Sequence, residues 1–381
     1  MPDYPPDLAS LRLQRSSRQP DPSLDVGTIA TLVRGHWYDA VAVMLEPAVS
    51  RPDASPQLKR VQALATAARR VLDLDAQDFA AIASEFSATW IGRLADCSFP
   101  PHPRDPRRGA LGSLVPLYQL MLEVMELRAL RQESMQIVVT AHLIAEYLVQ
   151  LAWESTLGHG GDPEQLELLV AGSRWGSDDP SCPHSPAQRS TAKRILSACR
   201  GDQAGYTAYL DRFHSRQGEA LSVCAMNHAT IGAGERPDVG VTCPNPCRWA
   251  VDQPMPMRRD LDARVRLALL FVQSPIVALR HHAPVGHFFG VPTALEIKDA
   301  WALTWEKVNM PWNDGDNPLH SMDHMSMGAL HETLPGMSTL ISAVAGRTIS
   351  PGHLIRDIAK DLTRTLESTS FEPGPTAGVA T

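Results

Sequence analysis

The run SLVPLYQLMLEVMELRALRQESMQIVVTAHLIAEYLVQLAWE, residues 113–154, decides the fold class. Apolar residues recur every three or four positions through two stretches, Ser113 to Arg131 and Met135 to Glu154. That is the period of an α-helix. The joint between them is short enough to make the two an antiparallel pair. Polar residues share a face on each: Gln119, Glu123 and Glu126 on the first, His142, Glu146 and Gln150 on the second. A solvated stripe explains this spacing. Should the faces meet inside a bundle, carboxylates and an imidazole would converge as they do in di-iron carboxylate proteins.

Working outward, the same helical period recurs on both sides. Upstream it runs from Val26 to Leu45, from Ser55 to Leu72 with Pro56 at the first helical position, and from Asp75 to Leu94. The Pro-rich stretch Phe99 to Pro106 is a surface connection. Downstream, Asp162-Pro163-Glu164-Gln165 opens a further helix, and a loop from Trp175 to Pro186 marks a boundary. Helical pattern resumes over Ala187 to Cys199, Ala204 to Arg216 and from about Glu219 into Cys224. Leu261 to Arg280 is apolar and should kink at Pro275, and Thr293-Ala294-Leu295-Glu296 is a capping box opening a helix with Trp301 and Trp305. Val239 to Thr242 is the best strand candidate, and it is very short. The expected fold is all-α: a multi-helix bundle with a Cys/His-rich, loop-containing insertion and disordered tails. Its divisions are an N-terminal tail over 1–25, a helical domain over 26–173, a Cys/His-rich module over 174–256, a helical region over 257–369 packing on the first, and a C-terminal tail over 370–381.

The module carries the sharpest chemical signal. Cys224 and His228 are four apart and leave one helix face together, while Cys243 and Cys247 bracket Pro244-Asn245-Pro246 in a rigid turn. Between the pairs, Gly232, Gly234, Pro237 and Gly240 give a loop able to fold back. Three thiolates and an imidazole suit tetrahedral zinc, although a standard knuckle is C-x2-C where this one is C-x3-C. Cys182, His184 and Cys199 lie close by in sequence, so five of the six cysteines fall between 182 and 247. Were Cys182 or Cys199 to replace His228, four thiolates would suit an iron–sulfur cluster, without its tight ferredoxin spacings. Buried free cysteines behaving as small hydrophobes are the plain alternative.

A second concentration lies near the C-terminus, where six of the 14 histidines fall between 281 and 331. Asp316, His320 and His324 are each four apart, a set that suits iron, manganese or zinc, but Asn317-Pro318 places Asp316 at or before the helix start. Ala329-Leu330-His331-Glu332 begins like a zincin motif, yet position 335 is proline. Phosphate-loop, dinucleotide-binding and nucleophile-elbow motifs are absent from the sequence.

Composition narrows the classes further. A chain of 381 residues, 44% hydrophobic, can bury a large core. Its net charge of −7 provides no overall field for nucleic acid. Residues 1–22 lack an apolar signal-peptide run, and Ile137 to Trp153 reads as a core helix too short to span a bilayer, so a soluble cytoplasmic protein with reduced thiols is expected. Two functions follow. One is an intracellular zinc-binding scaffold that presents its module to a protein partner. The other is a metal-dependent enzyme, of non-haem iron oxygenase or hydrolytic type, using Glu123, His142, Glu146, His320 and His324. Residues before about Val26 and after about Ser370 are expected to be dispensable for folding. Chains trimmed at either end should keep a single cooperative thermal transition, and loss of it would overturn that reading.

Overall fold

The structure is a computed structural model that describes residues 25–99, 110, 112–157, 168, 190, 193–194, 197, 253–282, 290–313, 317–321 and 332–368. Every regular element among them is helical. In chain order these are α1 (Val26–Arg34), α2 (Tyr38–Val49), α3 (Pro56–Leu72), α4 (Phe79–Ser84), α5 (Ile91–Asp96), α6 (Val115–Leu130), α7 (Ser134–Leu157), α8 (Met255–Val272), α9 (Pro275–Ala278) with a 3-10 turn (Leu279–His282), α10 (Ala294–Val308), α11 (Pro318–Ser321), α12 (Met337–Ala345) and α13 (Leu354–Glu367).

Local chemistry sets several of these ends. Ser55 Oγ accepts the Leu58 N–H at 3.2 Å with Pro56 at the first helical position, so α3 starts where its sequence indicates. The Thr293 capping box forms in full: Thr293 Oγ1 accepts from the Glu296 N–H at 3.2 Å, and Glu296 accepts from the Thr293 N–H at 2.7 Å. Pro275 behaves differently from the expected kink. The helix ends at Val272, and Pro275 opens α9, whose Ile276 N–H donates to Thr304 Oγ1 at 3.0 Å.

Two expected helices are each divided. The run Val26 to Leu45 breaks after Arg34, where His36 takes φ 60° and the His36 and Trp37 N–H groups donate back to Val33 and Leu32. This is a Schellman closure with histidine where glycine is preferred. Leu74 (φ 56°) closes α3 and Gln132 (φ 58°) closes α6 in the same way. The segment from Asp75 to Leu94 forms the short helices α4 and α5 in place of one long helix.

Two cores organise the packing, and α6 belongs to both. Leu120, Val124 and Leu127 face a core built from α1 to α5 and α13. Leu117, Tyr118, Met121, Leu122 and Met125 face a second core with α7, α8, α10 and α12. A helix apolar all round is one buried on all sides. Helix α7 runs antiparallel to α8: Arg264 reaches the Ala152 carbonyl at 3.2 Å, whereas Arg280, later in the chain, reaches back to His142. At 24 residues α7 exceeds the length inferred from Ile137 to Trp153. By length and composition it could cross a membrane, with 61% of its most apolar window buried inside the protein.

The turn before α12 rests on the tryptophans of α10. Gly336 has φ 89°, and a Cβ there would collide with the Trp305 ring, while Trp301 Nε1 donates to the Pro335 carbonyl at 3.2 Å. Gly336→Ala therefore combines backbone strain with overpacking and should cost about 3 kcal/mol in chemical denaturation. In Gly92→Ala, by contrast, the new Cβ meets nothing within 4 Å. That change should be neutral or stabilising by about 0.5–1 kcal/mol. Equal effects of the two would refute this account of the turn.

Candidate functional site

Glu123 sits on α6 between the two cores and is 0% exposed. Its carboxylate accepts the backbone N–H of Ile355 at 3.2 Å and of Arg356 at 3.0 Å. These belong to the first turn of α13, whose own cap residue, His353, makes no side-chain cap bond. Beside it, Arg356 donates to Glu126 at 2.7 Å and the Gly352 N–H donates to the Gln119 carbonyl at 2.8 Å. The face carrying Gln119, Glu123 and Glu126 is thus neither a solvated stripe nor half of a converging metal set. It is the seat of the C-terminal helix. Burial raises the Glu123 pKa, opposed by the N–H groups of Arg356, Ile355 and Leu354 and by the Arg356 charge.

The second face supplies a pair. His142 Nε2 lies 2.9 Å from Glu146 Oε1, and the Arg280 guanidinium contacts the same ring nitrogen. His142 Nδ1 is buried without a hydrogen-bond partner among the described residues. A guanidinium held against the nitrogen that a divalent ion would use repels that ion, so the trio works as a polar tie between α7 and the turn at 279–282.

His320 lies on the four-residue α11, with Nε2 2.9 Å from the Asn309 carbonyl. Asn317 fixes this helix start: its side chain accepts the Leu319 N–H at 3.0 Å and donates to the carbonyls of Val308 at 2.8 Å and Met310 at 3.0 Å. Asp316 and His324 lie outside the described residues, as do Cys182, His184, Cys199, Cys224, His228, Cys243 and Cys247. Among the described residues no three His, Cys, Asp or Glu side chains gather as metal ligands. Glu123, the His142–Glu146 pair and His320 are therefore not one site. Cys97 is buried, and burial pushes its thiol up to about 12.

Sequence reading missed a set of buried or half-buried charges placed at helix ends. Glu154 accepts the Leu114 N–H at 2.7 Å at the start of α6 and is paired with Arg347. Glu332, the last residue of the zincin-like start, accepts the N–H groups of Gly336 at 3.0 Å and Ser338 at 3.3 Å, so it caps α12. At the opposite pole, Arg128 donates to the Leu72 carbonyl at 3.0 Å where α3 ends. Arg264 donates to the carbonyls of Ala152 at 3.2 Å and Ala345 at 3.4 Å. Isolation within an apolar run marks Glu123, in Leu122-Glu123-Val124, but not these four: Glu154 and Glu332 adjoin polar residues, and Arg128 and Arg264 lie two residues from another charge. A basic stripe at positions 356, 360 and 364 of α13 was overlooked as well, though its spacing of four is plain.

The chain matches no protein-family model, no curated protein and no solved structure.

A raised carboxyl pKa has a definite linkage sign. Between the ordinary value of 4.5 and the raised folded value, folded Glu123 keeps a proton that the unfolded chain has released, so its contribution is complete below 4.5 and falls as pH rises through the folded pKa, above which the group is a carboxylate in both states. Glu123→Gln keeps an acceptor for α13 and removes the titration. Its stability relative to the parent should therefore improve as pH rises above about 4.5, read as the difference between two denaturation curves. A pH-independent difference would refute the assignment. Glu123→Leu leaves two buried N–H groups unmatched and should lose about 2–4 kcal/mol at neutral pH.

Proposed function

We propose that the protein is a non-catalytic helical scaffold whose stretch 174–256 binds zinc through Cys224, His228, Cys243 and Cys247 and is presented to a protein partner. One observation carries the reading beyond ligand spacing. Helices α7 and α8 are antiparallel, tied by Arg264 to the Ala152 carbonyl and at 3.1 Å to Ser155 Oγ. Leu157 and Met255, the helix ends that bracket residues 158–254 and with them nearly all of the stretch, consequently lie at the same end of the pair. Fixing the ends together removes part of the entropy cost of closing a long insertion, and a metal that joins its two halves lowers the remainder. Cys182, His184 and Cys199 are the reserve ligands. In this reading the thiols are reduced, which fits an intracellular, cytoplasmic setting.

The competing enzyme reading draws on Glu123, His142, Glu146, His320 and His324. It is the weaker, because Glu123 is committed to α13 and a guanidinium opposes a cation at His142. Iron or an iron–sulfur cluster in the same stretch is the other alternative. Elemental analysis of the purified chain should find one zinc per molecule and no visible absorption. Cys243→Ser/Cys247→Ser should abolish the zinc and leave the helical circular dichroism of the frame in place. Stoichiometric iron with visible sulfur-to-iron bands would replace zinc by a cluster, and full zinc occupancy in the double variant would overturn the ligand set.

A further inference from the structure

Between α1 and α13 an open groove of about 410 Å³ runs along the protein surface. Its walls carry Arg34 and His36 on one side and Arg356, Lys360 and Arg364 on the other, and no carboxylate lines it. This sign runs against the chain as a whole, whose net charge is −7. The cations have local partners, all set outside the groove. Arg356 donates to Glu126 at 2.7 Å, Lys360 to Asp357 at 2.9 Å and Arg364 to Asp361 at 3.0 Å. Asp357 and Asp361 also serve α5, receiving Arg93 at 2.6 Å and the Trp90 indole N–H at 2.9 Å. Arg34 is held by the Thr31 hydroxyl at 3.0 Å, with no carboxylate in that bond. Each guanidinium has five N–H donors, of which these bonds use one, and four cations stand against three carboxylates.

The floor has a different character. Val33 and Ala359 are apolar, and the Thr363 hydroxyl is turned to its own helix, donating to the Ala359 carbonyl at 2.9 Å, which leaves its methyl group. A cationic rim over an apolar floor recognises an anion with an apolar body. The volume lies within the range of small-molecule sites, roughly 300–1,000 Å³. A helix with side chains, about 10 Å across, would need more room.

We infer that this groove binds a small organic phosphate monoester, with the phosphoryl group between Arg34 and the Lys360–Arg364 edge and the organic part on Val33 and Ala359. Such a group carries about −1.5 to −2 charges near neutral pH, which suits several converging cations better than a single carboxylate does. Arg34 and the cations of α13 belong to different helices, so the ligand bridges them.

Titration calorimetry on the full chain with phenyl phosphate, inorganic phosphate and benzoate tests the assignment. Phenyl phosphate should bind saturably, about tenfold more tightly than inorganic phosphate because part of the ring leaves water. Its affinity should fall with added salt. Lys360→Ala/Arg364→Ala alters side chains that are 64% and 73% exposed and whose partner acids keep Arg93 and Trp90, so the thermal midpoint should hold while affinity drops at least about tenfold. Arg34→Gln, on the opposite wall, should weaken binding independently. The proposal fails if phenyl phosphate shows no saturable binding, if benzoate binds as tightly, or if both variants bind like the parent.

Discussion

The carboxylate of Glu123, buried on a helix that both cores share, receives the first turn of a helix 232 residues further along the chain. Much of the architecture depends on that contact. A lone buried carboxylate is costly, and so are the unmatched N–H groups at a helix start. Set against each other they satisfy both, and hydrogen bonds to a charged group are worth about 1.5–3 kcal/mol apiece. The contact also fixes register. With Ile355 and Arg356 seated on Glu123, the stripe Leu354, Ile355, Ile358, Leu362 and Leu366 points into the N-terminal core, and the C-terminal helix completes a core begun by α1 to α5.

The same device recurs where helix ends lack a cap of their own. The residues at the starts of α6, α12 and α13 are Leu114, Gly336 and His353, and none of them makes a side-chain cap bond. Glu154, Glu332 and Glu123 do so from elsewhere in the chain. Arg128 and Arg264 act at C-terminal ends, where the helix dipole favours a cation. Charges so placed are specific in a way that apolar packing is not. A helix shifted by one turn would keep much of its buried area and lose its partner for the charge.

The all-α class was legible because periodicity is local, and so were the caps at Ser55 and Thr293, where donor and acceptor lie within three residues. The antiparallel pairing of α6 with α7 followed from a short joint. What one sequence does not display is which surface meets which. Glu123 and Glu126 share a helical face under every reading, and spacing alone cannot distinguish water, a metal or another helix across from them. The breaks at His36 and Leu74 were hidden for a related reason. Residues other than glycine hold positive φ there, leucine the least suited to it, because the surrounding helices fix the chain direction.

Helix α13 shows how one short amphipathic segment divides its work by face. Its apolar stripe closes the N-terminal core, Asp357 and Asp361 turn toward Arg93 on α5 and Trp90 just before it, and Arg356, Lys360 and Arg364 border the groove beside α1. The faces are coupled unequally. Arg356 both caps through its N–H on Glu123 and reaches Glu126 with its side chain, so it belongs to the fold as much as to the groove. Lys360 and Arg364 make only short-range pairs within their own helix, at separations of three residues. Exposed pairs of that kind contribute little to stability. The outer edge of that wall, Lys360 and Arg364, therefore rests on residues that the fold does not require, whereas Arg356 at its inner end is held in place by the contacts that seat the helix.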